Sequence, residues 1–152
     1  MKMSKLIIVE PSPIISAGLL RYLEDMTQLQ VVSVLDNVDD LQDKMIVHNP
    51  DILIINPLTF GYMNNNYIRQ INQNNPSTTC IALVTTYIDR NYLKCFKELI
   101  ELGDNKQKVL NKIINLINSS DDTINQNDSI DLSNREIDVL VSTTIIETGL
   151  DI

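Results

Sequence analysis

The sequence predicts an α/β fold, a doubly wound three-layer (βα)5 sandwich around a parallel five-stranded sheet. Two observations support this fold class. First, four short runs rich in β-branched residues recur along the chain, and their nearly continuous hydrophobicity is typical of strands covered on both faces. Second, segments with a helical period separate the runs, so right-handed crossovers would place helices on both sides. The four runs are Lys5–Val9, Val31–Leu35, Asp51–Ile55 and Thr79–Thr85.

The helices are predicted from apolar residues three or four positions apart. The stripes are Ile14, Ile15, Gly18, Leu19, Tyr22 and Leu23 for the first helix, Leu41, Met45 and Ile46 for the second, and Ile68 and Ile71 for a shorter third. Phe96–Ile100 is the candidate for the fifth strand, and Asn105–Asn118 is predicted as a long final helix.

The final helix has an apolar face wider than the stripe of about 100° that a surface helix needs. Its apolar residues are Val109, Leu110, Ile113, Ile114, Leu116 and Ile117. This pattern fits a deeply seated helix, and it also fits a partner surface. In the second case Leu110, Ile114 and Ile117 are the candidate dimer face.

Three segments are predicted from the change in composition along the chain. Residues 1–118 form the α/β domain, and residues 119–131 are an acidic polar linker without apolar clusters. In the remaining 132–152, Ser133 and Glu136 have the spacing of a capping box, with Leu132 placed for a hydrophobic staple, so a helix should begin there.

Composition excludes several classes of function. The net charge of −8 over 152 residues argues against a nucleic-acid surface. No apolar run is long enough for a bilayer, and the first one belongs to a strand, so we expect a cytoplasmic protein without a membrane contact. Cys80 and Cys95 lack zinc spacing, His48 is the only histidine, and the four glycines are scattered. We therefore expect no enzyme activity, no metal and no cofactor.

Four segments together resemble a bacterial response regulator of the LuxR/NarL/FixJ type. LIIVEPSPIISAGLLRYLE is similar to the first strand and helix of its receiver domain, PDILIINP to the third strand, and LVTTY to the fourth strand with its threonine. LSNREIDVLV resembles the start of the LuxR-type helix-turn-helix. The resemblance to the receiver domain covers roughly Lys5 to Asn118 on typical domain sizes. It implies a flavodoxin-like sheet with strand order 2-1-3-4-5, and a tail that is a truncated or replaced DNA-binding domain.

The resemblance also implies where a phosphoacceptor pocket would lie. In the family an acidic pair holds Mg²⁺, an aspartate accepts the phosphoryl group, and a threonine and a lysine respond to it; the metal neutralises the charge of the transferred group. The matching residues here are Glu10 and Pro11, Asn56, Thr85 and Leu102. A carboxamide cannot be the nucleophile, and one carboxylate is a poor Mg²⁺ site. The resemblance therefore implies a vestigial pocket.

Simpler interpretations of the same residues are favoured by the sequence. Glu10 is interpreted as a solvated carboxylate at a strand end, and Asn56 as a residue that satisfies backbone groups in the turn before Pro57. Thr85 is interpreted as a β-branched strand residue. The stretch between Thr85 and the fifth strand is about one helical turn short, so a truncated fourth helix is expected.

Three functions are compatible with these features. The first is a phosphorylation-independent receiver domain of a LuxR-type transcriptional regulator, which acts by homodimerisation through the final helix or through the face of the fourth and fifth units. DNA would then be bound only through a complete C-terminal domain. The second is a stand-alone module that binds a sensor kinase or another regulator without contacting DNA. The third is an active phosphoacceptor that uses another carboxylate such as Asp51, which precedes its strand and should lie at the wrong end of the sheet.

Overall fold

The computed structural model describes residues 3–61 and 63–129. The chain divides into two compact units, Met1–Ile114 and Asn115–Ile152. The strands are β1 (Ser4–Val9), β2 (Leu29–Leu35), β3 (Ile52–Ile55), β4 (Thr79–Val84) and β5 (Glu98–Glu101), and the α-helices are α1 (Pro13–Leu23), α2 (Leu41–His48), α3 (Asn65–Asn74) and α4 (Lys106–Ser129). Two 3-10 turns, Pro57–Thr59 and Arg90–Leu93, complete the described elements.

The five strands form one parallel sheet in the order β2-β1-β3-β4-β5. The three inner strands supply the centre of the core, and every residue of β3 is buried. Their lack of polar alternation follows from this position, because an inner strand of a parallel sheet has helices over both faces. The predicted fold class and strand order are confirmed.

The helices cover the two faces of the sheet in the first unit. Leu41 and Met45 of α2 and Ile68 of α3 are buried against one set of alternate strand residues, which includes Leu53 and Ile55. On the other face, Leu83 and Ile100 lie beside Leu19 of α1 and Val109 of α4. Successive strand residues point to opposite faces, so the sheet is the middle layer of three.

Helix α1 begins where the sequence provides a start signal. The Ser12 hydroxyl accepts a hydrogen bond from the Ile15 N–H, 3.5 Å away, and Pro13 occupies the first helical position. A serine N-cap satisfies a free N–H group, and proline has no N–H that would need a partner there. This turn fixes the chain direction immediately after Glu10.

Three sequence predictions need correction at their boundaries or content. The fifth strand is Glu98–Glu101 rather than Phe96–Ile100, because the Phe96 N–H closes the preceding turn by donating to the Leu93 carbonyl. The final helix ends at Ser129 rather than Asn118. The segment 119–131 is thus helical as far as the structure describes it, and since a linker can be helical the division into domains stays a prediction.

The truncated fourth helix that the sequence predicted does not form. Between β4 and β5 the only helical element of this fully described stretch is the 3-10 turn Arg90–Leu93. The predicted helix start at Ser133 and the whole segment 132–152 lie outside the described residues. Within the part of the chain that is described, no helix has the length and apolar character needed to cross a membrane.

Candidate functional site

Three predicted site residues meet at one edge of the sheet. Glu10 directly follows β1, Asn56 follows β3 and Thr85 follows β4. These strands are neighbours and run parallel, so their carboxyl ends lie side by side, which is where open α/β sheets place their binding sites. Glu10 and Asn56 are buried, and Thr85 is half-buried.

The Asn56 side chain is the centre of this cluster, with 1% of its surface exposed. Its Nδ2 donates to Glu10 Oε1 at 2.8 Å and to Thr85 Oγ1 at 3.0 Å. Its Oδ1 accepts from the Leu58 N–H at 3.0 Å. An amide has two N–H donors and one carbonyl oxygen, so both donors and the acceptor are engaged.

These partners also determine which way the amide faces. In the opposite orientation, the carbonyl oxygen would lie against the Glu10 carboxylate and the NH2 group would meet the Leu58 N–H. Both contacts would be repulsive, so hydrogen-bond chemistry selects the observed orientation. The predicted role of Asn56 in the turn before Pro57 is confirmed, and Asn56 in addition joins the ends of three strands.

The interpretation of Glu10 as a solvated carboxylate is wrong. Only 3% of the residue is exposed, and Oε2 accepts from the Ser12 N–H at 2.8 Å while Oε1 accepts from Asn56. Burial of a carboxylate is costly unless hydrogen bonds compensate it. Here two neutral donors provide that compensation: the Ser12 N–H in the turn before α1 and the Asn56 amide just after β3.

Thr85 is not the strand residue that the sequence predicted, and Leu102 does not join the cluster. β4 ends at Val84, so Thr85 lies beyond the strand. The Thr85 hydroxyl accepts a hydrogen bond from the Asn56 amide. Leu102 follows β5, one position after the Val84–Glu101 pair that ends the β4–β5 register. Its side chain is 58% exposed and lines a groove with α1, away from the cluster.

The residues present do not fit the Mg²⁺ ion that the resemblance implies. Pro11 takes the place of a second carboxylate, and Asn56 directs its nitrogen rather than its oxygen towards Glu10. Mg²⁺ needs oxygen ligands in near-octahedral geometry, whereas the amide N–H occupies the acceptor that a cation would use. Among the described residues, no cluster of three metal-ligating side chains exists.

A second buried carboxylate was not predicted from the sequence. Asp104 is 6% exposed, and its Oδ2 accepts from the Glu101 N–H at 3.0 Å and from Lys112 Nζ at 2.8 Å. Burial alone would raise the pKa of Asp104, but the hydrogen bonds from Lys112 and Glu101 and the charges of Lys112 and Lys108 hold it below its usual value. The i,i+4 spacing to Lys108 was the only local signal of this cluster.

Lys112 also closes part of the exposed edge of β5. Its Nζ donates to the Leu99 carbonyl at 2.5 Å, and Asp104 caps the Glu101 N–H. β5 is the last strand of the sheet, and capped backbone groups do not offer a template for another strand. Lys112 is therefore engaged at the sheet edge, and it is not a substitute for the lysine that would respond to a phosphoryl group.

The candidate dimer face and the alternative acceptor lie elsewhere. Val109 and Ile113 of α4 are buried, which explains part of the wide apolar arc, and Leu110 and Ile114 beside them are half-buried. Ile117 belongs to the second unit. Asp51 precedes β3 and accepts from the Lys5 N–H at 2.8 Å, so it lies at the end of the sheet opposite Asn56.

Comparisons with known proteins support the fold. No protein-family model matches the chain, and a search of curated proteins also finds no match. Among solved structures, the RcsB response regulator of Salmonella typhimurium superposes with a TM-score of 0.68 at 17% identity over 78% of this chain and 62% of its own. This chain therefore spans less than two thirds of that regulator.

Two further similar structures are covered almost completely. A response regulator from Thermotoga maritima gives a TM-score of 0.67 at 20% identity, over 77% of this chain and 99% of that one. The REC domain of AraT from Geobacillus stearothermophilus gives 0.69 at 10% identity, over 80% and 98%. The chain thus has the fold of response-regulator receiver domains.

Proposed function

We propose that this chain is an atypical, phosphorylation-independent receiver domain of a LuxR-type transcriptional regulator. It acts by protein–protein association, and the association controls an attached DNA-binding domain. The receiver fold supports the general class. The hydrogen bonds of Asn56 to Glu10 and Thr85 are the observation that supports independence from phosphate.

In the receiver domains that this chain resembles, the phosphoryl group and the metal ion would connect the residues at these positions. Here the hydrogen bonds of Asn56 connect them instead. Asn56 cannot accept a phosphoryl group, and its amide already bridges Glu10, just after β1, to Thr85, just after β4. A neutral carboxamide carries its two N–H donors without any added group. This bridge therefore does not depend on a metal ion or on a transferred group. The domain would therefore hold one arrangement of these strand ends at all times.

Association is proposed to use the flank of α4. Leu110 and Ile114 are half-buried on a helix whose Val109 and Ile113 face the core, so apolar surface remains beside the buried stripe. Ile117 continues the same pattern in the second unit. A contiguous apolar patch on a helix surface can serve as a subunit contact.

The test combines a chemical and a hydrodynamic readout on the whole chain. We expect acetyl phosphate with Mg²⁺ to leave both the intact mass and the sedimentation coefficient unchanged, and we expect a dimer in either condition. Ile114→Gln combined with Ile117→Gln should shift the protein to monomer, whereas Asn115→Gln, an exposed position of the same helix, should not. A phosphoryl adduct, or dimerisation only after treatment, would contradict the proposal.

A second function is favoured by a different surface. Ile14 at the start of α1 is 86% exposed and Leu102 is 58% exposed, and both line a groove of about 240 Å³ with Leu19 and Ile100. Such a surface suits a module that binds a sensor kinase or another regulator and never contacts DNA. A complete helix-turn-helix encoded after residue 152 would support the first function, and its absence from the gene would support this one.

A further inference from the structure

A cavity of about 550 Å³ lies beside the Asn56 cluster. Its lining includes Thr85, Ile88, Asp89, Arg90, Leu99 and Glu101. The volume lies within the range of about 300–1,000 Å³ that is typical of small-molecule sites. Thr85 is the residue that the cavity and the cluster share.

The cavity has a structural origin in the missing fourth helix. A parallel sheet needs a crossover between β4 and β5, and such crossovers usually contain an α-helix that covers the sheet. Here the crossover contains only the 3-10 turn Arg90–Leu93. Ile88 and Leu93 cover part of the sheet, and the uncovered remainder is the cavity.

The lining combines an apolar floor with one basic and two acidic residues. Val84, Ile88 and Leu99 provide apolar surface, Arg90 provides a guanidinium, and Asp89 and Glu101 provide carboxylates, of which that of Asp89 accepts a hydrogen bond from the Asn91 N–H in its own turn. Arg90 and Glu101 are both exposed, and within the described part of the chain no side-chain hydrogen bond or ion pair engages either of them, although both line the same cavity. Elsewhere in this domain opposite charges do pair, as in Lys112 and Asp104.

We propose that this cavity binds a small zwitterion with an apolar side chain, of the class of an α-amino acid or a short apolar peptide. The ligand carboxylate would pair with Arg90, which suits planar carboxylates, and the ligand ammonium would pair with Glu101. The apolar side chain would lie on Ile88 and Leu99. A ligand with only one charge would leave one of these groups without a partner.

The proposal is tested by calorimetry and amide NMR on the whole chain with L-leucine and leucyl-leucine. We expect saturable binding with shifts at the cavity residues. Three analogues each lack one feature: 4-methylpentanoate has no ammonium, isopentylamine has no carboxylate, and glycine has no apolar side chain. Because an ion pair at an exposed site contributes about 0.2–1 kcal/mol, each charge-deficient analogue should bind more weakly, by up to about fivefold.

Matched variants connect the binding to the two charges. Arg90→Gln and Glu101→Gln should each weaken leucine binding by up to about fivefold, since each removes one exposed charged partner. Lys94→Gln and Asp43→Asn make the same charge changes at exposed positions outside the cavity and should leave binding unchanged. The proposal is overturned if neither zwitterion binds saturably, if single-charge analogues bind equally well, or if Arg90→Gln and Glu101→Gln bind like the unmodified chain.

Discussion

Asn56→Asp should destabilise the protein strongly at neutral pH and progressively less as the pH falls. In the unmodified protein Nδ2 lies 2.8 Å from Glu10 Oε1. The substitution places a carboxylate oxygen where that nitrogen donates, so an attractive contact becomes a repulsion between two carboxylates. Asn56 and Glu10 are 1% and 3% exposed, and buried charges are poorly screened.

Two limits determine the size of the loss. At about 3 Å and an effective dielectric constant of about 20, two unit charges repel by about 5–6 kcal/mol. The folded variant avoids this repulsion by binding a proton, and holding an ordinary carboxyl protonated costs about 1.4 kcal/mol for each pH unit above its pKa of about 4. At about pH 7 this second cost is about 4 kcal/mol, the smaller of the two, and it sets the expected loss.

The direction of the pH dependence follows from proton binding. The pKa of the introduced carboxyl is raised in the folded state, so the folded variant binds more protons than its unfolded chain. Its stability therefore falls as the pH rises, by about 1.4 kcal/mol per unit above about pH 4. The difference from the unmodified protein should be largest at neutral pH and nearly gone near pH 4.

Urea unfolding followed by circular dichroism, in chelator-containing buffer from about pH 4.5 to about pH 7.5, measures this difference. Asn37→Asp is the control, because Asn37 also bonds its own turn but is exposed; it should change stability by less than about 1 kcal/mol. If Asn56→Asp is as stable as the unmodified protein at neutral pH, or if its loss does not depend on pH, the described geometry of Glu10 and Asn56 is wrong.

Three further predictions use the same structure. Asp104→Asn weakens the contact with Lys112 and should cost about 1–3 kcal/mol of stability at neutral pH. Because the folded pKa of Asp104 is lowered, this stabilisation is present above about pH 4 and is lost as the pH falls through the folded pKa. A loss in urea unfolding that does not depend on pH would refute this prediction. Met45→Ala empties a site that is 1% exposed and should cost about 2–5 kcal/mol, whereas Ile46→Ala, 70% exposed, should cost less than about 0.5 kcal/mol; equal denaturation midpoints would contradict the packing. Asn56→Asp should also remain unlabelled by radioactive acetyl phosphate, since the second metal carboxylate and the lysine are still absent, and robust labelling would refute this.

Most of the fold could be predicted from sequence because four of the five strands have a strong local pattern. The strand Ile52–Ile55 is buried on both faces, so an uninterrupted apolar run of strand length has few alternative explanations. The end of α4 could not be predicted in this way. Ser119–Asp131 has no apolar stripe, but an existing helix propagates through such a segment at little cost, and α4 continues to Ser129.

The site was predicted in position but not in chemistry. The family resemblance implied Glu10, Asn56 and Thr85 as site residues, and the structure brings these three together because parallel strands have their carboxyl ends side by side. Their hydrogen bonds could not be derived, since Glu10 and Asn56 are 46 positions apart and Asn56 and Thr85 are 29 apart. A single sequence has no local signal for such contacts, and the burial of Glu10 depends on them.

The central claim is that the amide of Asn56 makes the cluster independent of phosphate and metal. Amide NMR spectra of the uniformly labelled chain, recorded before and after addition of beryllofluoride and Mg²⁺, test this most directly. The Asn56 side-chain NH2 resonances and the backbone resonances of Glu10 and Thr85 should remain at the same positions. Saturable shifts of these resonances, with the rest of the spectrum unchanged, would contradict the claim and show that the cluster still binds a phosphoryl mimic.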